Sequence, residues 1–148
     1  MSEVGAGQVF AFLNEVGIIG QLSRTLFEAR LPNGFLVSHF SVLNHLVRLG
    51  DGATPMALAS AFQVPKTTMT HTLTGLEKAA LIEMRPNPED GRSKCVWLTE
   101  AGRKFREDAI ASLGPDIEKM LNSLDLARIS SALPVLEEVR EYLDRTRD

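Results

Sequence analysis

A group of short polar side chains between Lys66 and Thr74 has the composition of a surface that contacts another molecule. A helix here turns about 100° per residue and gathers hydroxyl, imidazole and ammonium groups on one side. Threonine forms helices poorly because its branched Cβ is stiff, yet four of the seven residues from 66 to 72 are threonine. Small hydroxyls let a helix approach phosphates and base edges in a major groove about 12 Å wide. The candidate DNA-contacting residues are Lys66, Thr67, Thr68, Thr70, His71 and Thr74. The alternative is that this helix face is exposed to solvent and contacts no other molecule.

A second group of charged residues lies in a predicted β-hairpin. Residues 82–85 and 94–98 form strand-like runs, and Pro86-Asn87-Pro88 with Asp90-Gly91 supplies turn-forming residues between them. The sequence therefore predicts a two-stranded wing with a charged tip.

Arg92 is the principal cation of this wing. Asp90 lies two residues before it, close enough to orient the guanidinium, and Arg92 with Lys94 can enter a minor groove or bind its phosphates. An ordinary surface ion pair between Asp90 and Arg92, worth about 0–1 kcal/mol, is the alternative interpretation. The candidate wing residues for DNA binding are Arg85, Asp90, Arg92 and Lys94.

Two short helices must position the polar face. Thr54-Pro55 is an N-cap followed by proline at the first helical position, which predicts a first helix of about eight residues. Pro65 starts a second helix in the same way. The order of two helices and a hairpin is that of a winged helix-turn-helix. Residues predicted to form the buried face of the second helix are Met69, Leu73, Leu76 and Ala80.

Long apolar-patterned segments flank this unit. Residues 9–31 form one helical stretch, and residues 105–143 form a second that Asp125 divides, as an N-cap, into two helices. Such helices expose more apolar surface than a small winged helix can cover, so we expect a homodimer. A helical cap within one monomer is the alternative.

We expect a mainly α fold with a small β-hairpin wing. Ser38 is predicted to cap a further helix that ends at Gly50-Asp51-Gly52. The predicted division is residues 1–37 and 105–148 as the helical dimerisation region, and residues 38–104 as the DNA-binding domain.

The chain resembles the MarR family of bacterial transcription regulators over nearly its whole length. The residues that carry the resemblance are Leu58-Ala59, Val64, Thr67-Thr68-Met69-Thr70, Leu73, Leu76-Glu77, Leu81-Ile82, Asp90-Gly91-Arg92 and Leu98-Thr99-Glu100-Ala101-Gly102. The resemblance implies a recognition helix that begins near Lys66 and faces the major groove through Thr67, Thr70, His71 and Thr74. It also implies that Arg92 is a minor-groove arginine supported by Asp90.

Two residues depart from the family pattern. Pro65 lies where members often have a serine cap, and His71 lies where they often have arginine. The resemblance further implies repression relieved by a small molecule, often aromatic or phenolic, bound between the dimer helices and the winged helix. No residue of the sequence identifies such an effector.

Composition agrees with a globular DNA-binding protein. The 148 residues carry a net charge of −3, but residues 54–106 hold eight Lys/Arg against five Asp/Glu, a net of +3, and the remainder is −6. The positive charge is concentrated on the predicted winged helix. The sequence lacks a membrane-spanning run and a basic signal-peptide start, and its single cysteine cannot form an internal disulfide, so we expect a cytoplasmic protein.

The types and spacing of the residues argue against a metal site, a cofactor site and an active site. His39 and His45 lie six residues apart, off a common helix face, so we expect no metal site and no cofactor. Cys95 and Trp97 are expected to be structural. Nothing resembles a nucleophile, base and orienting group, so we do not expect an enzyme. The alternatives to an inducible repressor are a constitutive DNA-binding dimer and a winged-helix adaptor that binds protein.

Overall fold

The computed structural model describes residues 2–147, which fold into helices around one two-stranded antiparallel sheet. The mainly α fold with a β-hairpin wing is therefore confirmed. The elements of the described residues are α1 (Glu3–Arg30), α2 (Val37–Leu49), α3 (Pro55–Ala61), α4 (Lys66–Lys78), β1 (Ile82–Pro86), β2 (Lys94–Leu98), α5 (Glu100–Ser112), α6 (Gly114–Ser123) and α7 (Leu126–Thr146).

The helix-turn-helix begins as the sequence predicts. The Thr54 hydroxyl accepts a hydrogen bond from the Ala57 backbone N–H at 3.1 Å, and α3 runs for seven residues from Pro55. The turn into α4 contains Gln63, which has φ 53° and donates from its side chain to the Ser60 carbonyl at 2.6 Å. The left-handed conformation of Gln63 changes the direction of the chain, and α4 then begins directly after Pro65.

The core of the winged helix lies between α2, α3, α4 and the sheet. Leu43, Leu58, Leu76 and Val96 are each 0% exposed, and Ile82 is 1% exposed. One apolar residue from each of these elements thus meets the others, and this common core fixes the position of α4 relative to the wing.

The end of α4 differs from the prediction. Met69, Leu73 and Leu76 are buried as expected, but Ala80 is exposed and lies beyond the helix with φ 61°. The N–H of Ala80 donates to the Glu77 carbonyl at 2.9 Å, and that of Leu81 donates to the Leu76 carbonyl at 3.0 Å. These bonds form a Schellman motif, a helix ending that usually places glycine where Ala80 lies.

Ala80→Gly is expected to stabilise the protein by about 0.5–1 kcal/mol, because glycine adopts positive φ without the steric cost of a Cβ. Urea denaturation measures the change. The matched control is Ala79→Gly, since Ala79 has φ −81°, and it should destabilise by about 0.5–1 kcal/mol. Equal effects of the two substitutions would contradict this explanation of the turn.

The start of α2 also differs from the prediction. Leu36 occupies the N-cap position, so Ser38 lies inside the first turn and does not cap the helix. The Leu36 N–H donates to Nδ1 of His39 at 2.9 Å, and the Val37 N–H donates to a carboxylate oxygen of Glu28 at 3.0 Å. A ring within α2 and a carboxylate from α1 therefore satisfy two amides at the start of α2, which begins before Ser38.

The C-terminal part forms one more helix than predicted. Asp125 caps α7 as expected, accepting from the Ala127 N–H at 2.9 Å. A further break falls at Leu113, which ends α5 and precedes α6. Pro115 lies in the first turn of α6, where its missing N–H leaves no bond unmade; inside a continuous helix it would remove one.

The two long terminal helices leave most of their apolar side chains exposed. Among the described residues, α1 buries only Phe27, and α7 buries none. Phe10 is 70% exposed and Leu22 is 68% exposed. The neighbouring residues Ile18 and Ile19, which project about 100° apart on a helix, are both exposed as well. A helix that is apolar on several sides is normally buried on several sides.

Candidate nucleic-acid interface

The polar face of α4 is exposed. The candidate residues on it are Lys66, Thr67, Thr68, Thr70, His71 and Thr74, all of which are exposed. Thr74 donates its hydroxyl hydrogen to the Thr70 carbonyl at 2.9 Å, so its oxygen remains available to accept. Thr72 differs, because it is 6% exposed and its hydroxyl donates to the Thr68 carbonyl at 3.2 Å. The exposed face therefore contains Thr67, Thr68, Thr70 and Thr74, but not Thr72.

The first turn of α4 presents free backbone donors. Pro65 occupies the N-cap, and no side chain among residues 2–147 caps this end. Met69 donates to the Pro65 carbonyl at 3.1 Å and is the first amide of the helix with such a partner. The preceding N–H groups form the positive end of the helix dipole, which favours an anion.

Gly75 of α4 lies close to His39 of α2. A Cβ on residue 75 would lie 3.1 Å from Nε2 of His39, which is tighter than ordinary van der Waals contact. Burial lowers the pKa of His39, and nearby His71 lowers it further. The lowered pKa favours the neutral ring, whose Nδ1 can accept the Leu36 N–H at the start of α2.

The two predicted strands of the wing pair with each other. Strand β1 runs antiparallel to β2, with Met84 opposite Val96 and Arg85 opposite Cys95. Cys95 is buried, as expected. The Arg85 guanidinium lies 4.0 Å from the centre of the Trp97 ring and donates to the carboxylate of Glu83. Arg85 is thus held against the outer face of the sheet, away from the other candidate residues.

A third segment pairs with the wing, and the sequence did not reveal it. Ala53 forms a bridge to Val96, whose N–H donates to the Ala53 carbonyl at 2.8 Å. Asp51 accepts the Leu98 N–H at 2.7 Å. The Gly50-Asp51-Gly52 segment was predicted only to end a helix. The available signal was an acidic residue between two glycines, where a side chain can reach a neighbouring strand end.

The tip of the wing presents Arg92 to solvent. Asp90 accepts the backbone N–H of Arg92 at 3.0 Å, whereas its oxygen lies 3.6 Å from Nε of Arg92. The Arg92 side chain is 95% exposed. The predicted pair is present, but Asp90 bonds the backbone and only approaches the guanidinium, since 3.6 Å exceeds hydrogen-bonding distance.

A groove of about 610 Å³ separates α4 from the wing. Three cations line it against the single carboxylate of Asp90. The candidate residues that meet there are Lys66, Thr70, Asp90, Arg92 and Lys94. The other α4 candidates continue along the exposed helix face, and Arg85 lines a separate depression beside Trp97.

Within residues 2–147, no group of three His, Cys, Asp or Glu side chains could hold a metal ion. In the same part of the chain, no helix is long and apolar enough to cross a membrane.

The fold and this surface define a winged helix-turn-helix protein with long terminal helices. The model of the MarR family matches residues 33–93. The chain is therefore similar to the MarR family of transcription regulators over residues 33–93, which is the family that the sequence resembles. Comparison with curated protein sequences gave no match.

Solved structures share the fold over most of the chain. Apo wild-type MarR from E. coli has a TM-score of 0.72 at 24% identity, covering 85% of this chain and 94% of that one. BldR from Sulfolobus solfataricus has a TM-score of 0.75 at 21% identity, covering 98% and 99%. A cysteine-to-serine mutant of E. coli MarR, complexed with operator DNA, has a TM-score of 0.68 at 23% identity, covering 89% and 95%.

Proposed function

We propose that this protein is a dimeric, ligand-responsive repressor that binds a palindromic operator. The observation that carries the proposal is the joint exposure of the polar α4 face and Arg92 on two sides of one cation-lined groove. The structurally similar MarR mutant was solved with operator DNA. A DNA backbone between an occupied major groove and the adjacent minor groove would lie in this groove.

The recognition helix would supply sequence readout. Thr67, Thr70, His71 and Thr74 project from α4 toward base edges, where hydroxyl and imidazole groups can donate or accept. Lys66 and the free amides of the first turn would bind a phosphate. Thr68 would contact the flanking backbone.

The wing would supply affinity and orientation. Arg92 would enter the minor groove, with Lys94 on a neighbouring phosphate. Arg85 would reach a phosphate only by giving up its contact with Glu83. We therefore expect Arg85 to contribute less than Arg92.

The terminal helices would form the dimer. A groove of about 560 Å³ lies between α1 and α7 and is lined mainly by apolar side chains, among them Val9, Phe12, Leu13, Val139 and Leu143. A helix of a second copy would fill it and cover the exposed apolar residues around it. The two-fold axis would place two recognition helices about 34–36 Å apart, one turn of DNA.

An effector site would lie between α1, α2 and α6. A cavity of about 440 Å³ there has two aromatic rings, Phe27 and Phe40, with Arg24 and Asp116 at polar positions. Beside it, Arg30 donates twice to Asp116 at 2.8 Å and lowers the pKa of that carboxyl. An aromatic or phenolic ligand would press on both the dimer helix and α2. The ligand would then favour a state in which the two recognition helices have a different spacing. Operator affinity would change by the difference between the ligand's affinities for that state and for the DNA-bound state.

Arg92→Ala is expected to weaken binding to a 30-base-pair random-sequence duplex pool about 10-fold, since it removes a groove or phosphate contact. Binding of the wild type should also fall steeply between 50 and 200 mM salt, because phosphate contacts release counterions. Fluorescence anisotropy of labelled duplex measures both. Arg103→Ala, an exposed arginine of α5, is the control and should bind as the wild type does. Binding indifferent to Arg92 and to salt would instead favour a protein-interaction adaptor.

A further inference from the structure

The tip of the wing, residues 87–93, is folded around the side chain of Asn87. Its amide nitrogen donates to Oγ of Ser93 at 2.9 Å, and its amide oxygen accepts the Glu89 N–H at 3.0 Å. The backbone N–H of Asn87 donates to the Ser93 carbonyl, and its carbonyl accepts from Asp90, each at 3.3 Å. One residue thus connects both ends of the loop and its middle.

Asp90 continues this chain of turns to Arg92. It accepts the Arg92 N–H at 3.0 Å, and its carbonyl accepts the Ser93 N–H at 3.1 Å. The first turn, closed by Asn87, therefore leads directly into the second, closed by Asp90. The Arg92 side chain is 95% exposed, and this backbone fixes the direction in which it leaves the loop.

The prolines on either side make Asn87 a stiff base for the loop. Pro86 ends β1, and Pro88 follows Asn87 directly. Each proline fixes its own φ, and Pro88 restricts Asn87 to extended conformations. Few conformations of the tip are compatible with these constraints once the Asn87 amide has both of its partners.

We propose that Asn87 is a positioning residue for Arg92, whose carboxamide holds the wing tip in the shape that presents Arg92 to DNA. This inference rests on the proposed function. A preorganised loop loses less conformational freedom on binding, which raises affinity without adding a contact. Asn87 itself is half-buried and uses both polar atoms of its side chain within the loop, so it acts through Arg92.

Asn87→Ala tests the role by binding. The probe is the tightest duplex that the wild type selects from the 30-base-pair pool, at a single salt concentration. We expect about a fivefold to tenfold loss of affinity, in line with the cost of ordering one loop and one long side chain. In an Arg92→Ala background, Asn87→Ala should cause no further loss, because its effect passes through Arg92.

A conservative variant separates positioning from general damage. Asn87→Asp keeps the acceptor for the Glu89 N–H and can still bond Ser93, with the direction reversed so that the Ser93 hydroxyl donates to the carboxylate. Glu89→Gln in the same protein keeps the net charge of the loop unchanged. This double variant should bind within about threefold of the wild type. The proposal would be overturned if the affinity losses from Asn87→Ala and Arg92→Ala were additive. It would also be overturned if the protein with Asn87→Asp and Glu89→Gln bound DNA as weakly as Asn87→Ala.

Trypsin cleavage after Arg92 provides a readout without DNA. Asn87→Ala should speed this cleavage several-fold through local opening of the tip, with an unchanged melting temperature, and the Asp/Gln variant should restore wild-type resistance. Equal cleavage rates in all three proteins would overturn the proposal even where DNA binding is normal. Failure of the wild type to bind any duplex would instead refute the proposed function, and the cleavage rates would still decide whether Asn87 orders the tip.

Discussion

Phe10→Lys is expected to convert the protein to a monomer and to weaken operator binding at least about 100-fold. Phe10 is 70% exposed on α1, where a partner would bury it in the proposed dimer. A buried lysine without a partner costs several kcal/mol. A monomer also loses the linked second half-site, and such linkage typically contributes a factor of about 10²–10⁴.

Sedimentation equilibrium gives the oligomeric state, and anisotropy with an operator duplex gives the affinity. Phe10→Leu is the control, because it keeps an apolar side chain and should remain dimeric with near wild-type binding. Far-ultraviolet circular dichroism should show the same helix content in all three proteins. A dimeric Phe10→Lys protein with normal affinity would place the interface elsewhere.

Gly102→Ala is expected to destabilise the protein by more than about 3 kcal/mol. A Cβ on this residue would overlap the Leu81 carbonyl oxygen and lie 2.8 Å from Cδ1 of Leu98. The Leu81 carbonyl also accepts the Thr99 N–H at 3.2 Å, so it cannot move away freely. The first turn of α5 would have to separate from the end of the wing.

Chemical denaturation measures the loss, and Gly7→Ala is the matched control. Gly7 also lies within a helix, α1, but a Cβ there would meet no atom within 4 Å, so alanine should be neutral or stabilising by up to about 1 kcal/mol. Similar free energies of unfolding for Gly102→Ala and wild type would show that the two segments are not packed as closely as described.

Local signals in the sequence predicted the hairpin and the starts of α3, α4 and α7. Thr54 and Asp125 cap their helices through side chains that bond the next turn, and such bonds depend only on neighbouring residues. The exposed threonine face of α4 followed from helical periodicity in the same way.

Features that depend on distant residues were missed. Ser38 is a good cap by type, but Glu28 of α1 and the His39 ring satisfy the start of α2 instead. Ala80 fits an apolar periodicity, yet the chain must turn there to enter β1, so a left-handed alanine ends the helix.

In the candidate interface, too, features set by neighbouring residues were predicted and features set by distant residues were missed. Residue types and spacing predicted which side chains would be exposed, while the contacts of Arg85 with Glu83 and Trp97 required the strand register. The support of the wing by Asp51 depends on pairing across 47 residues, which periodicity cannot report.

Selection of bound fragments from the sheared genomic DNA of the source organism tests the central claim most directly. Wild type and Arg92→Ala are compared at two salt concentrations, with sequencing of bound and input DNA. We predict enrichment of an inverted repeat with half-site centres about 10 base pairs apart, weakened in Arg92→Ala and at the higher salt. A bound pool with the same sequence content as the input, for the wild type at both salt concentrations, would contradict the assignment of this protein as an operator-binding regulator.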